Sequence, residues 1–354
     1  MFPMESLYDY LKEVYERGNL QGLGFLDPLY ILNGGSLSFD DLIVHDKWCL
    51  EIIRTNLDFR SKRFQLESNY AYRFRHIVVC WLLGVGLGSQ LIPNFDRDMI
   101  RQRAWQLSAY IHDYGYYCDE VFDEPNPSLL QTFGDHYLLK DTYNTEFLKS
   151  LNNFTQRSPN VTPYSYSEIE DYYSSDLIRR KEEGGSEKSD HGIVGGCIAF
   201  SEYADYLEQR SFLKDGIGLL ELNKTACLIA ASHNIWGRAP IKKECKLLLL
   251  MALVDTIELI KRFYDTDRTG RQYPLLNWKD VLKEFYLSIQ PGWIVVDLTK
   301  IRDRIDSITG VRHNKLEKAF NKYVKNLKGL TDWIGCPTSE NNNIITIDIY
   351  SIAC

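Results

Sequence analysis

The 354-residue sequence lacks three features that would each indicate a particular class of protein. Its basic residues form no long run and the formal net charge is -7, so constitutive nucleic-acid binding is disfavoured. No basic segment followed by an apolar stretch opens the chain, as a secretion signal would require. The longest apolar run, 77–92, is short for a membrane span and contains three glycines. We therefore expect a cytoplasmic protein that does not enter a membrane.

Closely spaced cysteines are also missing. The eight cysteines are scattered and none forms a C-x-x-C pair, which excludes zinc-ribbon and thioredoxin-type sites on spacing. Several lie inside apolar stretches, as reduced core thiols do. This usage is typical of a cytosolic protein.

Helical periodicity is the strongest pattern that is present. With 44% hydrophobic and 25% charged residues, the chain has the composition of a globular protein with a substantial core. Apolar residues recur at helical spacing in seven segments: 5–17, 39–57, 70–84, 97–113, 190–209, 222–233 and 243–263. The sequence therefore predicts a mainly α protein built around a helical bundle.

Two regions depart from this pattern. Between 114 and 189, prolines, clustered Asn and Ser and many tyrosines predict loops, either as a lid over a site or as a solvated insertion. Near the C-terminus, Trp293–Leu298 and Ile344–Ile349 alternate as strands do, with a helix at Lys315–Leu327 between them. We predict three segments: N-terminal helices packing on the core (1–69), a metal-binding helical domain with that insertion (70–265), and a small α/β appendix (266–354).

Histidine is rare, with seven residues in the chain, and its placement is informative. Most of the histidine elements lie in the most apolar helical segments, as does Asp255, whose carboxylate is costly to bury unless it is paired or bound to a metal. Imidazoles and carboxylates are ligands for Fe, Mn and Zn, and helices fix their directions. Adjacent His112 and Asp113 point about 100° apart on a helix, so one can bind a metal while the other bridges to a second. The candidate ligands are His76, His112, Asp113, His191, His233 and Asp255.

Each of these elements also has a simpler interpretation. A buried histidine is a satisfied core side chain more often than a ligand, by about three to one. The dipeptide His45-Asp46 repeats the His-Asp pair without matching partners. Asp255 could be an ion-pair partner of Lys261 or Arg262, one to two turns along its helix. The ordered set His, His-Asp, His, His, Asp, with each element on its own predicted helix, favours metal binding over these alternatives.

This order resembles the HD-domain superfamily of metal-dependent phosphohydrolases, an all-helical fold, over roughly Tyr70–Phe263. His76 resembles the family's first histidine, His112-Asp113 its namesake pair and Asp255 its closing aspartate. The resemblance implies an HD-type helical bundle.

Two further histidines extend the resemblance to the two-metal members. The segment SDHGIVGG around His191 is similar to the helix start of the HD-GYP phosphodiesterases and of CRISPR-associated HD nucleases. His233 is similar to the remaining histidine of the two-metal variants, although Asn234 follows it where the HD-GYP group has a second histidine. Tyr116 stands where many members have a lysine, HDYGYY in place of HDxGK.

The resemblance implies a phosphohydrolase that acts on a phosphoester, such as a nucleotide or cyclic nucleotide, through a metal-activated water. The expected cofactors are one or two divalent metals, Mn, Fe, Zn, Co or Ni, with Mg as a further candidate. His76, His112, Asp113 and Asp255 would hold one metal, and His191 and His233 a second, with Asp113 bridging. Asp113 and His191 are the predicted catalytic residues. The substrate-binding candidates are Tyr116, Lys188 and Arg238.

Two other functions are compatible with the same residues. Myo-inositol oxygenase resembles the same ligand order and has a long spacer before its third histidine, which implies a di-iron centre that activates O₂. Alternatively, an HD fold could recognise a nucleotide without turnover, as a regulatory module. The C-terminal α/β appendix is compatible with partner docking or self-association.

Overall fold

The computed structural model describes residues 4–17, 71–113, 192, 219–233, 245–266 and 272–353. This part of the chain is rich in helix and carries a small antiparallel sheet towards the C-terminus, as the sequence predicts. Numbered over the described residues, the helices are α1 (Leu7–Arg17), α2 (Ala71–Leu91), α3 (Met99–Ile111), α4 (Leu219–Ser232), α5 (Lys246–Ile257), α6 (Trp278–Glu284), α7 (Thr299–Asp306), α8 (Val311–Ile334) and α9 (Tyr350–Ala353). The strands are β1 (Glu5–Ser6), β2 (Tyr264–Thr266), β3 (Gln272–Pro274), β4 (Tyr286–Gln290), β5 (Trp293–Asp297), β6 (Thr338–Asn341) and β7 (Ile344–Asp348).

The chain divides into two compact units. The first comprises Met1–Pro93 and Leu253–Cys354, and the second comprises Asn94–Ala252, so the division falls inside α5. The predicted division into 1–69, 70–265 and 266–354 stays a prediction, because much of the first two segments lies outside the described residues.

The sheet of the first unit includes strands from both ends of the sequence. Its order is β1-β4-β5-β7-β6 and every pairing is antiparallel. Ile294 and Val296 of β5 lie opposite Ile347 and Ile345 of β7, and all four side chains are buried. Because side chains alternate between the faces of a strand, these residues line one face of the sheet and form its core.

The two predicted C-terminal strands are confirmed to within one residue as β5 and β7. The helix predicted at Lys315–Leu327 is longer, Val311–Ile334, because its apolar stripe continues and it ends only at Gly335, which takes the left-handed conformation (φ 69°) typical of a helix C-terminus. Strands β4 and β6 and helices α6 and α7 were not predicted, since their patterns are short.

Helix α1 packs on α2 in the first unit. It begins where the Ser6 hydroxyl accepts the Asp9 backbone N–H (3.1 Å), and it buries Leu7 and Leu11. Helix α2 does not stop near Gly84 but continues to Leu91. Gly86 leaves room for the Tyr10 hydroxyl of α1, which a Cβ at that position would contact. No helix in the described part of the chain is both long and apolar enough to cross a membrane.

The helix predicted at 243–263 is wrong at its C-terminal end. Helix α5 ends at Ile257 and a separate 3₁₀ helix follows at Ile260–Phe263. The break occurs at Glu258, whose carboxylate accepts the backbone N–H of Ile260 (2.5 Å) and of Lys261 (3.4 Å). These side-chain bonds start the new turn in place of continued α-helical bonds.

Helices α3 and α4 pack together in the second unit. They match the helices predicted at 97–113 and 222–233, with α3 starting later because Asp98 caps it by accepting the Arg101 N–H (3.0 Å). The helices predicted at 39–57 and 190–209 and the insertion at 114–189 lie outside the described residues, apart from Gly192, which is helical. Four cysteines are described, and all are buried, as predicted for several of the cysteines: Cys80, Cys227, Cys245 and Cys336.

Candidate metal centre

In the first unit, the buried side chains of His76, Cys80 and Asp255 could hold a metal ion. His76 and Asp255 are predicted ligands, and Cys80 is a ligand candidate that the sequence interpretation did not include. The predicted ligands His112, Asp113 and His233 belong to the second unit and are equally buried, with 0%, 2% and 1% of their surfaces exposed. Buried ionisable groups require partners or an ion, so the contacts within each unit are decisive.

In the first unit, α2 and α5 bring His76 and Asp255 together. Nε2 of His76 lies 3.4 Å from Oδ1 of Asp255. Cys80 lies one turn along α2 from His76, and its Sγ is 3.5 Å from Nδ1 and 3.8 Å from Nε2 of that ring. The ligand atoms of these three residues all lie within 4.8 Å of one another.

Lys261 adds a positive charge to this group. Its ammonium forms an ion pair with Oδ1 of Asp255 and lies 3.3 Å from Nε2 of His76. The simpler interpretation of Asp255 as an ion-pair partner is therefore correct for Lys261, whereas Arg262 donates to the main-chain carbonyl of Asp255 (3.4 Å). The two atoms that would ligate a metal therefore both contact the Lys261 ammonium.

Glu258 is a member of this group that sequence reasoning missed. Its side chain is fully buried, and Oε2 lies 2.7 Å from Nδ1 of His76. The available signal was its spacing: Glu258 follows Asp255 by three residues, which places both carboxylates on one side of a helical turn. Nothing in the sequence indicated that its partner would lie 182 residues earlier.

The thiol of Cys80 is protonated in the metal-free protein near neutral pH. Burial raises its pKa to about 11; the nearby imidazole of His76 opposes this, while the carboxylates of Glu258 and Asp255 add to it. Because the thiolate is the form that binds metals, a metal bound at Cys80 would have to displace this proton.

In the second unit, two histidines at helix ends are held in the same way. His112 follows α3 and His233 follows α4, and the Nδ1 of each ring lies 2.6 Å from the carbonyl oxygen three residues earlier, of Ala109 and Ala230 respectively. A carbonyl only accepts, so each Nδ1 carries a proton, and in the neutral imidazole Nε2 then has the lone pair. The two ring centroids are 5.3 Å apart at an interplanar angle of 87°.

Both imidazoles face the carboxylate of Asp113. Oδ1 lies 3.6 Å from Nε2 of His112 and 3.9 Å from Nε2 of His233. These separations are too long for hydrogen bonds. Ligands that share one ion at about 2.0–2.2 Å stand roughly 3–4 Å apart, which matches these distances. The two nitrogens and the carboxylate oxygen therefore fit a divalent transition metal in chemistry and in spacing.

Gly192 packs against the end of α4. A Cβ at this position would lie 2.5 Å from the Ala230 oxygen and 2.7 Å from Nδ1 of His233. The glycine-rich helix start was predicted to allow close packing against a neighbour, and for Gly192 this is confirmed. The preceding residue, His191, lies outside the described residues, as do the predicted substrate-binding residues Tyr116, Lys188 and Arg238.

Comparison of the chain with models of protein families, with curated proteins and with solved structures finds no match. The resemblance to the HD superfamily therefore rests on the residues quoted above.

Proposed function

We propose that the protein is a metal-dependent phosphohydrolase that acts on a small phosphoester, such as a nucleotide or cyclic nucleotide. The observation that supports this most is the pair of imidazoles, of His112 and His233, whose Nε2 atoms both face Oδ1 of Asp113 in a buried setting. Backbone carbonyls hold both Nδ1 protons, so the atoms presented are lone-pair donors suited to a cation.

The proposed ligands keep the assignments made from the sequence. They are His76, His112, Asp113, His191, His233 and Asp255. A divalent metal bound there would supply Lewis acidity, which makes water a better nucleophile near neutral pH and polarises a phosphoryl oxygen. His76 and Asp255 support the assignment because they are buried and 3.4 Å apart, in the same relation as the pairs around Asp113.

Positive charge for the substrate is proposed to come partly from Lys261. The role of the lysine in HDxGK is not filled at Tyr116, and Lys261 places an ammonium beside Asp255 instead. A phosphate oxygen that approached Asp255 would meet this ammonium, which can donate hydrogen bonds to it. Lys188, Arg238 and Tyr116 remain proposed substrate-binding residues.

The test combines elemental analysis of the purified protein with a screen of phosphodiesters and nucleotides for hydrolysis. We expect Mn, Fe, Zn, Co or Ni in the protein and phosphoester hydrolysis that depends on it. Asp113→Ala should lose the metal and the activity together, because it removes the oxygen that both imidazoles face. Asp96→Ala, which changes an exposed aspartate of the same unit, should keep both.

Other outcomes of the screen contradict the proposal in distinguishable ways. Full activity of Asp113→Ala would exclude the assigned centre. Bound iron with consumption of O₂ and no hydrolysis would indicate the oxygenase function. Tight nucleotide binding without product would indicate the regulatory module.

A further inference from the structure

We infer that Glu258 is a positioning residue that fixes the proton of His76 on Nδ1 and so presents Nε2 for metal binding. The inference rests on the proposed function, because it concerns how one of the proposed ligands is prepared for the metal. Glu258 touches neither substrate nor reacting atoms in this proposal and acts through the imidazole.

The contacts of His76 lead to this role. Nδ1 lies 2.7 Å from Oε2 of Glu258, a hydrogen-bond distance, and both side chains are almost fully buried. An ionised carboxylate only accepts, so the shared proton is on Nδ1 and the lone pair is on Nε2. Nε2 faces Asp255 at 3.4 Å and also lies 3.3 Å from the Lys261 ammonium, which can only donate and so requires the lone pair on Nε2. A ligand histidine whose other nitrogen donates to a carboxylate is held in one orientation and becomes a stronger base.

The chemistry requires a carboxylate rather than any polar side chain of the same shape. Glu258 accepts hydrogen bonds through both oxygens at once: Oε2 from Nδ1 of His76 and, more weakly, from the Lys261 N–H (3.4 Å), and Oε1 from the N–H of Ile260 (2.5 Å). Glutamine has one oxygen that accepts and one amide nitrogen that donates. If the Gln oxygen keeps the Ile260 N–H, its nitrogen faces Nδ1, which must then accept, and the imidazole proton moves to Nε2.

A structural role is the competing explanation, because Glu258 also starts the 3₁₀ turn at Ile260–Phe263. That turn has a second support: the Tyr323 hydroxyl donates to the carbonyl of Ile257 (2.6 Å). Glu258→Gln can keep the bond to Ile260, so the turn should remain while the partner of His76 changes. A purely structural role would leave the protonated nitrogen of His76 unchanged.

The experiment uses the full chain, with Glu258→Gln compared with wild type and with Glu317→Gln. Glu317, on α8, is the control, since its carboxylate also accepts through both oxygens, from Arg302 (2.7 Å) and Asn321 (3.2 Å), and does not contact His76. Side-chain ¹⁵N NMR of the metal-free protein reports which nitrogen of each histidine carries the proton, and the His76→Asn spectrum identifies the His76 signals. Calorimetric titration with Mn²⁺ alone gives the Kd.

We expect His76 to carry its proton on Nδ1 in wild type and in Glu317→Gln, and on Nε2 in Glu258→Gln. The Kd for Mn²⁺ should rise about 10- to 100-fold in Glu258→Gln, the usual cost of losing a carboxylate partner of a ligand histidine. An unchanged proton position, an unchanged Kd, or a raised Kd without movement of the proton would each overturn the inference.

Failure of this inference can be distinguished from failure of the proposed function. If Glu258→Gln fails to fold, the wild-type spectrum still decides, because a proton on Nε2 of His76 in wild type contradicts the inference by itself. If the wild-type protein binds Mn²⁺ but hydrolyses no phosphoester, the proposed function fails while the roles of Glu258 and His76 stand.

Discussion

The histidines of the two units are oriented by different means. His112 and His233 each donate to the carbonyl of their own helix three residues earlier, whereas His76 donates to the side chain of Glu258, far away in the sequence. A backbone carbonyl is present whatever the side chain is, so the first arrangement follows from ending a helix at a histidine. The second depends on two particular residues and can be lost by one substitution.

The difference also concerns charge. The group around His76 combines the carboxylates of Asp255 and Glu258 with the ammonium of Lys261, all largely buried. The contacts of His112 and His233 described above involve a single carboxylate, that of Asp113. Substitutions around His76 should therefore change metal affinity by changing the local charge. Those around His233 should change it by moving the backbone that orients the ring.

The largest effect is expected for Asp255→Asn. The amide keeps the shape but removes the charge that would bind a metal, and it takes the ion-pair partner from Lys261. We expect the Kd for Mn²⁺ to rise at least about 100-fold, more than for loss of a residue that only supports a ligand. Calorimetric titration of the purified variant measures this.

Asp265→Asn is the matched control, since Asp265 also pairs with a lysine, Lys315, but at a more exposed position. Exposed pairs contribute about 0–1 kcal/mol, so this variant should retain its stability and its metal affinity. Wild-type Mn²⁺ affinity in Asp255→Asn would mean that Asp255 serves only as the partner of Lys261.

The sequence predicted the elements whose patterns are local. Leu7 and Leu11 identify α1 by their spacing alone, and the alternation in β5 and β7 identifies those strands. Glu258 was missed because its role depends on a contact with His76 across the chain, which spacing cannot show. The same contact region ends α5 early, so the wrong helix end and the missed residue have one physical cause.

The candidate ligands could be predicted for a related reason. A histidine or aspartate in an apolar helical segment stands out, because burial of such groups is costly. His76, His112, His233 and Asp255 are buried as this argument requires. Cys80 did not stand out, because a cysteine in an apolar segment is an ordinary core residue.

A smaller effect is expected for Gly192→Ala, which tests the arrangement held by the backbone. The new Cβ would lie 2.5 Å from the Ala230 oxygen, the acceptor that holds the Nδ1 proton of His233. A main-chain atom cannot move aside as a flexible side chain can, so we expect a loss of about 1–3 kcal/mol in stability. Displacement of His233 should raise the Kd for Mn²⁺ by about tenfold, within the range for disturbed ligand support.

Gly329→Ala is the control for this change. Its Cβ would meet the far end of the Trp333 side chain, which can shift, and alanine favours a helix over glycine by up to about 1 kcal/mol. Denaturant unfolding and Mn²⁺ titration of both variants give the comparison. Equal behaviour of the two would show that Gly192 does not position His233.

The smallest effect is expected from two buried thiols, Cys80 of α2 and Cys227 of α4, when the metal-free protein is made alkaline. Burial raises the pKa of the Cys80 thiol from about 9 to about 11, and burial alone also raises that of Cys227. The folded state thus favours the protonated thiol, and this contribution to stability is complete below pH 9 and is lost as the pH rises towards 11. At pH 10 the loss of unfolding free energy from Cys80 is about 1 kcal/mol.

Urea unfolding at pH 7 and pH 10 measures this loss. Wild type should lose about 1 kcal/mol more than Cys80→Ala between the two pH values, and Cys227→Ala should behave like Cys80→Ala. If the difference is present for Cys227 and absent for Cys80, the Cys80 thiol ionises more readily beside His76 than its burial implies. Cys80 would then be a readier metal ligand than the raised pKa suggests.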